Sequence, residues 1–223
     1  MRMADREFDA RRTRPSTSGI ATRHSQFAIR DTRHTTNDSV ALTATIYNFD
    51  VQLSDVDRGV YEALVIRAAR QPSETEEYLA ARVLAYCLEY TEGIAFTKGL
   101  AEPDVPAVEV RDLTGALKAW IEVGTPDADR LHKASKASPR VAVYAFKDPS
   151  NLVRQFEGTR IHRAEAIELY AFEPDFIASF VERLERRTTF ELAVTERHLY
   201  LTIAGETLDS ELKPVQQPER RSM

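Results

Sequence analysis

The stretch Leu117-Lys-Ala-Trp-Ile-Glu-Val-Gly124 predicts a β-strand that stops at the glycine, because its centre is rich in β-branched and aromatic residues. Pro126 suits the first turn of a helix, and a helix is predicted over residues 126–137. Residues 140–146 alternate apolar and other side chains and predict another strand. A strand, a helix and a strand in succession indicate a mixed α and β fold.

A second helix is predicted upstream of this stretch, starting in Pro72-Ser-Glu-Thr-Glu76. Ser73 is a good N-cap, and Glu76 stands three residues later, as a capping box requires. The helix is predicted to end near Gly93, because one apolar stripe runs through Leu79, Val83, Tyr86, Cys87 and Tyr90.

Short strands are predicted through most of the remaining chain. Residues 61–69 are ambiguous, since Ala, Leu and Arg favour a helix whereas the alternation favours a strand. Asp112-Leu-Thr-Gly115 predicts a turn between two strands. The strands are predicted at residues 40–47, 94–97, 107–111, 164–172, 188–195 and 198–203, with a helix at 173–183.

Charge is distributed unevenly along the 223 residues. Residues 1–39 contain eight arginines, no lysine and five acids, so they carry +3 of a total charge of −5 and the remaining chain carries −8. We expect residues 1–39 to be a disordered basic extension, since they lack periodic apolar residues, and residues 215–223 to be a disordered tail. The extension is either a nucleic-acid-binding arm, or a dispensable tail or upstream sequence read from a start codon that was chosen too early.

Composition and motifs exclude several protein classes. No apolar run approaches the ~18–20 residues of a membrane helix. The single cysteine, Cys87, excludes an intrachain disulfide and fits a reducing compartment, so a cytoplasmic location is predicted. Cys87 lies in the apolar stripe and is interpreted as a core residue. The sequence lacks a Walker loop, a dinucleotide-binding glycine motif, a nucleophile elbow and a histidine pair at zinc-binding spacing.

Several short motifs occur together in a fixed order: Pro72-Ser-Glu-Thr75, Phe96-Thr-Lys-Gly-Leu100, Asp112-Leu-Thr-Gly115, Trp120-Ile-Glu-Val-Gly124 and Val141-Ala-Val-Tyr144. In this respect the chain resembles the YaeQ family of bacterial proteins. The resemblance implies a single domain over residues 40–214 with a variant of the PD-(D/E)XK nuclease-like fold, a mixed sheet flanked by helices (α+β). It also favours a strand at residues 61–69.

Two acids are candidates for a metal site. Asp112 ends one predicted strand and Glu122 lies near the end of the next, so the turn between them is expected to bring both carboxylates to one edge of the sheet. Mg²⁺ prefers oxygen ligands and needs only one or two carboxylates besides water and phosphate. The resemblance implies that Glu74 joins Asp112 and Glu122 as a metal ligand.

The catalytic lysine of the nuclease pattern has no counterpart two residues after Glu122, where Gly124 stands. The resemblance suggests Lys133 on the following helix in that role, beside the catalytic acids Asp112 and Glu122. Each acid also has a structural interpretation: Asp112 holds a turn, Glu122 pairs with Lys133 or Arg130, and Glu74 interacts with the helix dipole.

A concentrated positive patch is predicted near these acids, because residues 130–147 contain five basic residues and no acid. Arg130, Lys133 and Lys136 recur every three residues and share one helix face. Such a patch could bind nucleic-acid phosphates, or it is a solvated helix face. The predicted nucleic-acid-binding residues are Arg130, Lys136, Lys98 and Arg140.

Two functions of different classes follow. The first is a Mg²⁺-dependent nuclease-like phosphodiester hydrolase acting on nucleic acid. The second is a non-catalytic accessory or regulatory module on the same fold, which binds nucleic acid or a protein partner. Gly124 favours the second, and the acid pair favours the first.

Overall fold

Two β-sheets and four α-helices make up the described part of this computed structural model, which covers residues 43–99, 102 and 104–216. The predicted mixed α+β class is confirmed. The predicted basic extension at residues 1–39 lies outside the described residues, as do residues 217–223 of the predicted tail. No helix in the described ranges is long and apolar enough to cross a membrane.

The first sheet has five strands in the order β10-β9-β8-β1-β2. Strands β1 and β2 form a long antiparallel hairpin, and β8 pairs parallel to β1 on its other side. The strands are β1 (Thr45–Asp55), β2 (Val60–Arg70), β8 (Arg187–Thr195), β9 (His198–Ile203) and β10 (Glu206–Glu211).

The second sheet has six strands in the order β11-β7-β6-β5-β4-β3. Strands β5, β6 and β7 are parallel, whereas β3, β4 and β11 pair antiparallel to their neighbours. The strands are β3 (Ile94–Phe96), β4 (Val108–Arg111), β5 (Leu117–Val123), β6 (Arg140–Ala145), β7 (Ile167–Ala171) and β11 (Lys213–Pro214).

The helices connect these strands and cover their apolar faces. One core cluster contains residues of both sheets together with α1 (Glu76–Leu88) and α4 (Pro174–Val181). A second cluster joins Trp120 of β5 to residues of α2 (Ala128–Ala137) and α3 (Ser150–Gly158). Because β5 is buried on both sides, Trp120 and Glu122 share the face that contains α2, and Ile121 lies on the other face.

Several predicted boundaries differ from the structure. The first strand was predicted at residues 40–47 and is observed at Thr45–Asp55, because Phe49, Val51 and Leu53 continue the alternation of buried side chains beyond residue 47. Helix α1 starts after Thr75, whose Oγ1 accepts a hydrogen bond from the Tyr78 N–H at 3.2 Å, so the predicted Ser73 cap is wrong. The helix ends at Leu88 rather than near Gly93. Helix α3 and strands β10 and β11 were not predicted from the sequence.

Candidate functional site

A cavity of about 390 Å³ lies at the carboxyl end of β5 and beside the end of β6. Loops at the carboxyl ends of parallel strands are a common position for ligand sites in α/β proteins. We call this space the edge cavity; it is lined by Tyr78, Glu122–Asp127, Arg130, Phe146 and Lys147.

Glu122 is the buried acid of this cavity, with only 2 % of its surface exposed. Its Oε1 accepts hydrogen bonds from the Trp120 indole N–H at 2.5 Å and from Arg130 Nε at 2.7 Å. Burial raises the pKa of Glu122, and the Arg130 guanidinium opposes that shift. Of the two ion-pair partners suggested by the sequence, Lys133 and Arg130, the structure therefore shows Arg130 paired with Glu122.

Arg130 is held in place from three directions. Asp127 caps α2 by accepting a hydrogen bond from the Arg130 backbone N–H at 2.8 Å. The guanidinium reaches Glu122 through Nε and donates from Nη2 to the carbonyl oxygen of Val105 at 2.7 Å. Only 15 % of the Arg130 side chain is exposed. Arg130 therefore bridges the end of β5 and the segment before β4 instead of facing solvent.

Glu74, Tyr78 and Arg82 form a second buried polar group. Arg82 Nη1 donates to Glu74 Oε1 at 3.1 Å, and Glu74 Oε2 accepts from the Gln71 N–H at 3.1 Å. Burial raises the pKa of Glu74, and Arg82 opposes the shift. Both oxygens of this predicted metal ligand thus have protein partners.

Tyr78 links the two polar groups, since its ring lines the edge cavity next to Glu122. Within the described residues, Tyr78 Oη and Arg82 Nε are buried without a hydrogen-bond partner. Gly99 of the Phe96–Leu100 motif has a φ of +51°, and a Cβ there would lie 3.3 Å from Tyr78 Oη. This motif therefore places a glycine against the buried cluster.

Asp112 is not near Glu122. Its Oδ1 accepts hydrogen bonds from Thr114 N, Thr114 Oγ1 and Ala116 N, and Lys118 Nζ lies 3.0 Å from Oδ2. These contacts hold the turn between β4 and β5 and lower the pKa of Asp112. The Asp112 N–H donates to the Ala116 carbonyl, and Glu122 lies six residue steps beyond Ala116, a distance of about 20 Å along an extended strand.

The expectation that Asp112 and Glu122 meet at one sheet edge is therefore wrong. In an antiparallel hairpin the residue at the turn faces the start of the next strand, whereas Glu122 lies at the open end. No group of three or more potential metal ligands occurs among the described residues. Asp112, Glu122 and Glu74 do not surround one ion in this arrangement; Mg²⁺ binding itself stays a prediction.

A different acid, Asp104, lies at the open end of the hairpin. The Ala107 N–H donates to the Ile121 carbonyl at 3.0 Å, so the residues before β4 are the neighbours of Glu122. Asp104 forms an ion pair with Lys133. The predicted turn at residues 112–115 contained the signal for this placement, because it fixes which residues of β4 and β5 face each other.

The other predicted cations are mostly compensated by acids. Lys98 pairs with Glu102, and Lys133 pairs with Asp104. Arg140 is held by Glu89 and Glu168 at distances of 2.6–2.9 Å, in the wall of a second cleft of about 500 Å³. Lys136 is exposed in the last turn of α2. The predicted positive patch is thus much weaker than the sequence suggested.

Comparisons with known proteins agree on one family. The family model described as "YaeQ protein" matches residues 40–212. Uncharacterized YaeQ proteins of Salmonella typhi and Escherichia coli K12 are 29 % and 27 % identical over 180 residues, which is 80 % of this chain and 99 % of theirs.

Two crystal structures are also similar to this chain. YaeQ from Pseudomonas syringae has a TM-score of 0.73 at 31 % identity, covering 78 % of this chain and 97 % of its own. YaeQ from Xanthomonas axonopodis has a TM-score of 0.68 at 25 % identity, covering 79 % and 100 %. Sequence, family model and structure together show that the chain belongs to the YaeQ family.

Proposed function

We propose that this YaeQ-family chain is a non-catalytic binding module on a nuclease-like fold and that its partner is a protein. The observation that carries this proposal is the environment of Glu122. The carboxylate is 2 % exposed, and its Oε1 accepts hydrogen bonds from Trp120 and Arg130. Its charge is thus compensated by a side chain of the same domain.

Recruiting the Oε1 atom of Glu122 to a metal would require Arg130 to give up its hydrogen bond to that atom. Breaking one partner out of a buried ion pair typically costs about 3–5 kcal/mol. A metal would have to recover this free energy before it could act on a phosphate. Gly124 adds to the argument, since it stands where the nuclease pattern places its lysine.

A protein partner is favoured over nucleic acid because most of the basic residues predicted to bind phosphates are paired with acids in the described domain. Lys98, Lys133 and Arg140 have carboxylate partners, and Arg130 is turned toward Glu122. The chain outside residues 1–39 also carries a net charge of −8, which opposes the approach of a phosphate backbone.

Calorimetry and hydrolysis assays test the proposal on the full chain. We expect no saturable heat when Mg²⁺ or Mn²⁺ is titrated up to millimolar concentration, with or without a phosphorothioate oligonucleotide that could complete a site. We also expect no cleavage of single- or double-stranded DNA or RNA. Metal-dependent cleavage that Glu122→Gln abolishes would overturn the proposal, and Lys118→Met serves as the matched surface control.

A second candidate is the Mg²⁺-dependent nuclease-like hydrolase, and the position of Asp104 favours it. Asp104 lies at the same end of the β4–β5 hairpin as Glu122, with Lys133 beside it. In this alternative, Asp104 and Glu122 would hold Mg²⁺, which polarises a phosphate and activates water, and Lys133 would contact the phosphate. The alternative predicts that Asp104→Asn abolishes cleavage, whereas Asp112→Asn does not.

A further inference from the structure

Strand β2 forms one edge of the five-stranded sheet. Its eleven residues pair with β1 on one side, and no other described strand pairs with them. An exposed edge strand presents unpaired backbone N–H and C=O groups, and proteins usually shorten, bend or charge such edges. At eleven residues, β2 is about twice the usual strand length, so its edge offers a long template for pairing.

The outer face of β2 is apolar from Tyr61 to Val65. Val65 is 86 % exposed and Tyr61 is 63 % exposed, with exposed Ala63 between them. The adjacent residues of β1 on this face are polar: Asp50 faces Val65, and Gln52 faces Ala63. Next to β1, the exposed apolar side chains therefore lie on the edge strand itself, where a further strand would cover them.

We propose that β2 is a dimer interface, in which it pairs antiparallel with β2 of a second copy of this chain and joins the two sheets into one of ten strands. This proposal does not depend on the function proposed above. The register that pairs all eleven residues places Val65 on the two-fold axis, opposite the partner's Val65. The exposed Val65 side chain of each copy would then cover that of the other copy.

The same register is self-complementary in charge, which favours a second copy over an unrelated peptide. Glu62 would face the partner's Ala68, and the diagonal neighbour is the partner's Arg70. Tyr61 would face the partner's Ala69, with the partner's Arg67 as its diagonal neighbour, where a guanidinium can stack on the ring. Two-fold symmetry makes each contact occur twice.

The oligomeric state of the full chain is the first test. Light scattering coupled to size-exclusion chromatography at about 100 μM should give twice the chain mass of 25.3 kDa. Val65→Lys places like charges opposite each other and should raise the dimer dissociation constant at least about tenfold. The control is Val56→Lys, at an exposed position outside β2. A monomer at this concentration would overturn the proposal, including the case in which β2 instead binds a peptide of another protein.

A cysteine at the two-fold axis tests the register. The chain has one cysteine, and Cys87 is fully buried, so Val65→Cys adds the one accessible thiol of the described domain. Paired strands place opposite Cα atoms within the 4.4–6.8 Å that a disulfide spans. Mild oxidation should therefore cross-link Val65→Cys and not Tyr61→Cys, whose two copies would lie about 26 Å apart. A dimer that Val65→Cys does not cross-link, or equal cross-linking of both variants, would overturn this interface.

Discussion

Replacement of Arg130 by methionine should destabilise the protein strongly, because it leaves a buried carboxylate without its cation. Glu122 is 2 % exposed and Arg130 is 15 % exposed, so water screens their interaction little. Removing one partner of a buried pair costs about 3–5 kcal/mol. Because Arg130 keeps some contact with solvent, we expect about 3 kcal/mol, a large part of the stability of an ordinary domain.

Urea denaturation measures this loss as a change in the free energy of unfolding. The double variant Arg130→Met, Glu122→Gln should recover much of the loss, since no buried charge remains. Lys133→Met is the matched control from the same helix, because its pair with Asp104 is largely exposed and worth about 0–1 kcal/mol. If Arg130→Met lowers the free energy of unfolding by no more than Lys133→Met does, the pairing of Glu122 with Arg130 does not stabilise this site.

The pH dependence of the Arg130→Met variant has a definite sign. Burial raises the pKa of Glu122 above its ordinary value, and loss of the guanidinium should raise it further. The folded state then binds the proton more tightly than the unfolded state, so stability falls as pH rises from about 4.3 through the folded pKa. The difference from the parent protein should therefore shrink toward pH 4, and a constant difference would contradict this reasoning.

Three further predictions concern other parts of the domain. Gly99→Ala should cost about 1–2 kcal/mol through its positive φ and more through contact with Tyr78 Oη, whereas Gly115→Ala, with open space at its Cβ, should cost only the backbone part; thermal unfolding compares them. Asp112 has a lowered pKa, so its stabilisation of the turn is present above its ordinary pKa and lost as pH falls below it; Asp112→Ala should flatten the acid limb of a pH–stability curve. Burial raises the pKa of Cys87 to about 12, so native protein should resist thiol reagents and react only on unfolding; fast labelling of the folded protein would contradict its burial.

The sequence predicts local structure well where one pattern dominates. The predicted limits of β5 match the structure, because its β-branched and aromatic residues are bounded by a turn and a glycine. The observed start of α1 differs from the predicted start because Ser73 and Thr75 are both good N-caps, and only the packing of the chain selects between them. Helix α3 was not predicted, although Asp148 Oδ1 accepts a hydrogen bond from the Ser150 N–H at its start, at 2.9 Å.

The candidate site was predicted in part. The predicted metal ligand Glu74 does lie in a buried polar group, where it is paired with Arg82, and Glu122 does lie at a sheet edge. Asp112 is not the neighbour of Glu122, because Asp112 lies at the closed end of the β4–β5 hairpin and Glu122 lies at its open end. The compensation of the basic residues also escaped prediction, because Glu89 and Arg140 are 51 residues apart and only the fold joins them.

The interaction between Glu122 and Arg130 is tested most directly by a crystal structure of the full chain soaked in Mn²⁺, with anomalous scattering recorded at the metal. We predict no anomalous peak at the edge cavity and retention of the 2.7 Å contact between Arg130 Nε and Glu122 Oε1. A peak about 2.1 Å from the Glu122 carboxylate, with Arg130 displaced, would contradict the account and support the hydrolase.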